Sequence, residues 1–181
     1  MKKIIFCIIF LFVFVENSFS QIYDYRAYNA WGVYIYTSQN MPPAVRMSTM
    51  HNNGLSLQID FLPNNTFILS LSQPTNTFFP TNNLYVEMRI DNNNIIRCES
   101  IANTYKGLLW LTIIFPEEIN FIQQAILGNI LRFKINQHNS TYIKFSLSGF
   151  TAAYNYAMEL CRKVYQNYNY DEKYFRELQE N

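Results

Sequence analysis

Thr141–Cys161 reads TYIKFSLSGFTAAYNYAMELC, and the fold turns on its passage from strand to helix. Thr141–Leu147 is rich in β-branched and aromatic residues, the composition of a strand. Gly149 permits a sharp change of backbone direction, and Ser148 or Thr151 can cap the helix that follows. Phe150, Ala153, Tyr154, Ala157, Met158 and Cys161 recur at helical spacing. Small Ala152 and Ala153 let that helix lie close against a sheet. Gly149 and Phe150 are therefore expected to form a structural turn.

Working outward, the chain before this stretch is mostly strands. Trp31–Thr37 alternates. Val45–Met50 and Leu55–Phe61 flank His51-Asn52-Asn53-Gly54, a hairpin signal. Thr66–Ser72 follows a Pro-Asn-Asn turn. Leu84, Val86, Met88 and Ile90 alternate with Tyr85, Glu87 and Arg89, the clearest period of two in the chain. Ile95–Glu99 is a short strand carrying Cys98. Leu108–Phe115 is apolar on both faces, as in a central strand. Pro116 is expected to open a helix with Glu117 and Glu118 at its positive end. Ile119, Ile122, Ile126 and Leu127 would be its buried stripe, and Gly128 its stop. Ile130–Asn136 is the next strand. Tyrosine-rich Gln21–Asn29 reads as irregular, Ser38–Ala44 with Pro42-Pro43 as a loop, and Gln73–Asn83 as a long loop.

This order predicts an α+β fold, mainly antiparallel β (sheet or sandwich), with one inserted helix and a C-terminal helix. Residues 21–160 suit a single β-rich domain. Residues 161–181 read as a C-terminal helical appendage.

Met1–Ser20 carries the features of a secretory signal peptide: Lys2 and Lys3, the apolar run Ile4–Val15, and small Ser18 and Ser20 before a cleavage point. The alternative, a membrane anchor, needs roughly 20 apolar residues, and the run is shorter. Export is thus expected, to the periplasm, the outer-membrane surface or the medium, with no stable transmembrane segment after cleavage. Removing Lys2, Lys3 and Glu16 from the 14 basic and 13 acidic residues leaves 12 of each. That balance argues against nucleic acid as a partner. Cys98 and Cys161 remain. In an oxidising compartment they are expected to form a disulfide; the alternative is two separately buried thiols.

No catalytic constellation stands out. His51 and His138 sit in turns without a second ligand at metal spacing. A Ser–His–Asp set drawn from His51, Asp60 and a serine lacks a nucleophile elbow. Adjacent Glu117 and Glu118 would point apart on a helix. Asp91–Asn94 lacks the later Gly and Glu of a calcium loop. The expectation is a non-enzymatic chain with no cofactor and no metal. Tyrosine is the unusual resource. Tyr23, Tyr25, Tyr28, Tyr34 and Tyr36 cluster near the start of the domain. At the other end, Tyr165, Tyr168, Tyr170, Tyr174 and Phe175 are the expected partner surface, since tyrosine offers broad contact area with a polar tip.

Phe145–Ala157 (FSLSGFTAAYNYA) resembles the closing segment of the invasion-associated locus B proteins of Gram-negative bacteria. Other features follow in the same order: Trp31, the Leu69–Pro80 block, the strand Leu84–Asp91, Arg97-Cys98, and a helix followed by Gly before the penultimate strand. The resemblance spans roughly Trp31 to Ala157. Where the family usually carries further cysteines, this chain has Met47 and Asn103, so the family's disulfide pattern is not carried over. The resemblance implies an exported, β-rich protein, linked in some pathogens to host-cell entry and in others merely periplasmic, and it does not imply an enzyme. The expected function is accordingly binding to a protein in the envelope or on a host cell. The alternative is a periplasmic structural or envelope-stress factor that holds another envelope protein.

Overall fold

A computed structural model describes residues 21–38, 41–63, 66–74, 84–105, 107–116, 120–135 and 142–167. The signal segment, His138, Glu117, Glu118, Ile119 and the appendage from Tyr168 onward lie outside the described residues. Ten strands and two helices are present among the described residues. The strands are β1 (Gln21–Tyr28), β2 (Trp31–Ser38), β3 (Met41–Met50), β4 (Ser56–Phe61), β5 (Phe67–Pro74), β6 (Leu84–Ile90), β7 (Ile96–Tyr105), β8 (Leu108–Ile114), β9 (Ile130–Ile135) and β10 (Ile143–Ser146). Helix α1 (Phe121–Leu127) lies between β8 and β9, and α2 (Phe150–Asn167) follows β10.

The strands form one sheet in the order β1-β2-β3-β4-β5-β8-β7-β6-β9-β10. Every pairing is antiparallel. The fold is thus α+β and mainly antiparallel β, with an inserted helix and a C-terminal helix, as the order of segments predicts. β1 and β10 stand at opposite ends of this order, yet the chain beside them meets. Ala30 N–H donates to the Ser148 carbonyl (3.2 Å), and Trp31 Nε1–H donates to the Ser146 carbonyl (3.0 Å). The sheet therefore curls, which gathers the inward positions of all its strands. Val33, Val45, Met47, Leu57, Ile59, Leu69, Val86, Met88, Leu131 and Phe133 are all fully enclosed there. Helix α2 lies over β1, β2 and β3. The residues that let it approach are Ala153 and Ala157, both fully buried, one turn apart on the inner face; Ala152 points to solvent.

Several segments differ from the sequence expectation, each for a local reason. Gln21–Tyr28 is a strand, not irregular chain. Its register against β2 shifts between Tyr23 and Arg26, where Asp24 takes φ 53°, and this bulge breaks the period of two. The bulge aims Asp24 at α2, where the Tyr156 hydroxyl donates to Oδ1 at 2.8 Å and the Arg26 guanidinium lies 4.3 Å from the Tyr156 ring. Pro42 and Pro43 lie in β3 rather than a loop. At Met41–Ala44 the strand pairs with β2 alone, because its ladder with β4 begins at Val45. A proline, lacking an N–H, is accommodated on such a one-sided stretch. β7 runs on to Tyr105 as the partner of β8. The inserted helix begins at Phe121, not Pro116, since Asn120 Oδ1 accepts from Gln123 N–H (3.2 Å) and caps it there. Leu127, expected in its buried stripe, is 82% exposed. Thr151 does not cap α2; its hydroxyl donates to the Ile126 carbonyl (3.1 Å) and joins the two helices.

The disulfide expected between Cys98 and Cys161 is not formed: both are buried free thiols. Cys98 lies on β7, whereas Cys161 lies on α2 over the far end of the strand order. Burial pushes their pKa values up to about 11 and about 12 respectively, which leaves almost no reactive thiolate at neutral pH. Native protein should therefore resist thiol labelling at neutral pH. Unfolding should expose two reactive thiols, and gel mobility should be the same with and without reductant. Absence of thiols after unfolding in non-reducing denaturant would restore the bridge.

The Tyr156–Asp24 contact carries a pH signature. Burial, and then the Asp24 hydrogen bond, push the Tyr156 hydroxyl up to about 12 from an ordinary 10. Between those values the folded chain holds a proton that the unfolded chain has released, so stability falls as pH rises from 10 toward 12. Tyr156→Phe should flatten that part of the alkaline unfolding curve. An unchanged slope in the variant would assign the effect to other tyrosines.

Candidate binding surface

Inward positions of the strands make the core, so recognition falls to outward ones. On β3 the outward residue Arg46 stands between Tyr34 of β2 and Asp60 of β4 in register. Its guanidinium forks onto the Asp60 carboxylate, Nε to Oδ1 at 2.5 Å and Nη2 to Oδ2 at 2.7 Å. The Tyr36 ring lies 4.3 Å from the same guanidinium and Trp110 of β8 lies 5.3 Å away. Tyr25 of β1 meets Tyr34 with ring centroids 6.3 Å apart. Burial alone would lower the Arg46 pKa, but the hydrogen bond and charge of Asp60 outweigh it and raise it. Burial, reinforced by Asp60, raises that of Tyr36. Both groups therefore hold one charge state across the physiological range: Arg46 a cation, Tyr36 neutral.

Beside this array runs a polar strip. Gln58, Ser70 and Ser72 face outward yet are buried by their neighbours. Gln58 Nε2 donates to Ser72 Oγ (2.9 Å), while Gln58 Oε1 and Trp110 Nε1 are enclosed without a hydrogen-bond partner. Tyr25 is 62% and Ile22, opposite Tyr36 in register, 60% exposed, so the array opens to solvent along β1. Tyrosine, tryptophan and arginine are the residues enriched where protein partners bind tightly.

The residues singled out from sequence lie as follows. Gly149 and Phe150 form the expected turn: Gly149 takes φ +84°, and Phe150 N–H donates to the Leu147 carbonyl (2.9 Å). Tyr165 is half-buried, and its hydroxyl donates to the Phe61 carbonyl, which fastens α2 to β4. Tyr168, Tyr170, Tyr174 and Phe175 lie outside the described residues. His51 is at the β3–β4 turn with Nδ1 2.8 Å from Asn53 Oδ1. The Asp60 carboxylate is occupied by Arg46, so the structure does not join His51 and Asp60 into a catalytic set. Asp91 opens a hairpin turn: its carboxylate accepts from the N–H groups of Asn129 (2.8 Å) and Ile130 (2.9 Å). Those bonds, the Asn129 one first, lower its pKa. Among the described residues no group of three His, Cys, Asp or Glu is placed to hold a metal. An open polar hollow of about 630 Å³ lies between the β6–β7 turn and α1, lined by Asn93, Asn94, Ile95, Ile96, Arg97 and Gln124.

The Arg46 array was not singled out from sequence, although its signal was there. The hairpin turn at His51–Gly54 sets Arg46 opposite Asp60. What sequence did not supply was the crossing from β5 to β8 that brings Trp110 alongside.

Architecture and surface together define a β-rich domain with an uncovered aromatic sheet face. No protein-family model matches the chain, and no curated protein matches it. Among solved structures it is similar to invasion associated protein B from Bartonella henselae, with a TM-score of 0.61 and 14% identity. The alignment covers 78% of this chain and 99% of that one. The likeness is one of fold, in agreement with the resemblance drawn from Phe145–Ala157.

Proposed function

We propose that the chain is an exported, non-enzymatic binding protein of the periplasm or outer surface, and that it engages a protein in the envelope or on a host cell. The observation that carries this reading is the Tyr25–Tyr34–Tyr36–Arg46–Trp110 array, pre-arranged by the sheet and open along β1. The signal-like Met1–Ser20 and the fold shared with an invasion-associated protein support the setting. The alternative of a periplasmic factor holding another envelope protein uses the same surface and differs in where the partner lives.

Two measurements test it. A photo-crosslinking residue at position 25 should give a discrete protein adduct in cells, whereas one at Glu159, on the exposed side of α2, should not. Adducts at neither position, or equally at both, would overturn the surface. Protease added to intact cells should digest the protein if it is on the surface. Protection until the outer membrane is opened would make it periplasmic, and protection after that opening would contradict export.

A further inference from the structure

A second outward surface lies at the other end of the sheet, on β6, β9 and β10. Lys144 of β10 pairs in register with Arg132 of β9, and Arg132 with Arg89 of β6. Three cations thus stand side by side across three neighbouring strands. Like charges directly opposite each other destabilise a sheet; the Asp91 carboxylate attracts Arg132, but none of the three forms an ion pair among the described residues. Arg132 Nη1 donates to the Asp91 carbonyl (3.0 Å), a neutral group, and Arg89 Nε is enclosed without a partner. Lys134, two residues along β9 from Arg132, adds a fourth cation, with its Nζ 6.0 Å from the Tyr142 ring. Three acids share this face: Asp91 is held by two backbone N–H groups, Glu87 stands between Arg97 (3.2 Å) and Lys134 in register, and exposed Glu99 stands opposite Tyr85 in register. The chain's net charge is only +1, so this is a local concentration of positive charge. It lies beside exposed apolar side chains on the same face, Tyr85 of β6 at 50% and Ile101 of β7 at 52%. Tyr85 and Arg89 are four residues apart on β6, about 13 Å.

We propose that this face docks onto an anionic lipid surface, with Arg89, Arg132, Lys134 and Lys144 on phosphate headgroups and Tyr85 and Ile101 in the interfacial layer. Guanidinium groups pair with phosphate bidentately, tyrosine settles at the headgroup level, and a basic patch beside apolar residues is the pattern of peripheral membrane binding. The inference does not rest on the Arg46 surface, which lies on other strands.

The test is co-sedimentation of the purified protein with vesicles of phosphatidylcholine alone and of phosphatidylcholine mixed with phosphatidylglycerol, at low and high salt. Binding should require phosphatidylglycerol and be released by salt. A basic residue near an anionic membrane strengthens binding about fivefold, so Arg89→Gln, Arg132→Gln and Lys144→Gln together should weaken it about a hundredfold. Arg89→Gln with Lys144→Gln, which spares the Arg132–Asp91 hydrogen bond, should melt no lower than the parent, since it removes repulsion. Tyr85→Ser with Ile101→Ser should also weaken vesicle binding. Equal binding to neutral vesicles, no binding to anionic ones, or an undiminished triple variant would overturn the proposal. Tight binding to soluble polyglutamate, indifferent to the Tyr85 and Ile101 changes, would replace the lipid with an acidic protein.

Discussion

Gly149→Val is expected to lower stability by more than about 4 kcal/mol, enough to unfold a domain of ordinary stability. Two costs add. Gly149 has φ +84°, a region that a β-branched residue occupies only with strain of about 1–3 kcal/mol. A Cβ there would also stand 2.1 Å from the Tyr28 carbonyl oxygen and 2.7 Å from its carbon. Those are backbone atoms of the β1–β2 turn, so they cannot rotate away; the turn itself would have to leave. Its departure would break the Ala30–Ser148 hydrogen bond and free one end of the curled sheet. Gly149→Ala meets the same carbonyl and should be nearly as damaging. Gly54 is the control: it has the same φ of +84° but nothing within 4 Å of an added Cβ, so Gly54→Ala should cost only about 1–2 kcal/mol. Urea unfolding of the three variants separates strain from overlap. Equal midpoints for Gly149→Ala and Gly54→Ala would mean that the close approach to Tyr28 carries no weight.

Trp31→Ala is the second large effect, expected at about 3–5 kcal/mol. Trp31 is 1% exposed and packs edge-on to Phe150 with centroids 5.0 Å apart. Its Nε1–H reaches the Ser146 carbonyl. One side chain thus joins the start of β2, the end of β10 and the first turn of α2. Trp31→Phe keeps most of the buried area but leaves the Ser146 carbonyl without its donor, a cost of about 1–3 kcal/mol. The order wild type, Trp31→Phe, Trp31→Ala in denaturant midpoint is the expected result. A near-native midpoint for Trp31→Ala would show that the sheet closes without this residue.

How far these features were legible depended on how local their cause is. The alternation at Leu84–Ile90 needs nothing beyond its own residues: Val86, Met88 and Ile90 are buried and Tyr85 is exposed. The hairpin at His51–Gly54 is equally local, with His51 N–H bonded to the Leu55 carbonyl at 2.8 Å. β1 was not legible, because the bulge at Asp24 is stabilised by Tyr156, 132 residues away in the chain. Leu108–Ile114 is central, between β5 and β7, as its composition implied. Its outer face is nevertheless uncovered, with Leu108 37% and Ile114 44% exposed. An apolar strand reads the same whether or not a second layer covers it.

From sequence alone came the strand-rich class, the Gly149–Phe150 turn and the helix after it, because each follows from spacing and backbone preference within a few residues. The tertiary structure decided the strand order, the curl that brings Trp31 to Ser146, and the separation of Cys98 from Cys161. It also decided which outward residues become neighbours: Arg46 with Trp110, and Arg89 with Arg132 and Lys144. The physical reason is that a sheet's side-chain pattern specifies which way residues face, while pairing between distant strands specifies whom they face. The candidate surfaces of this protein are made by the second.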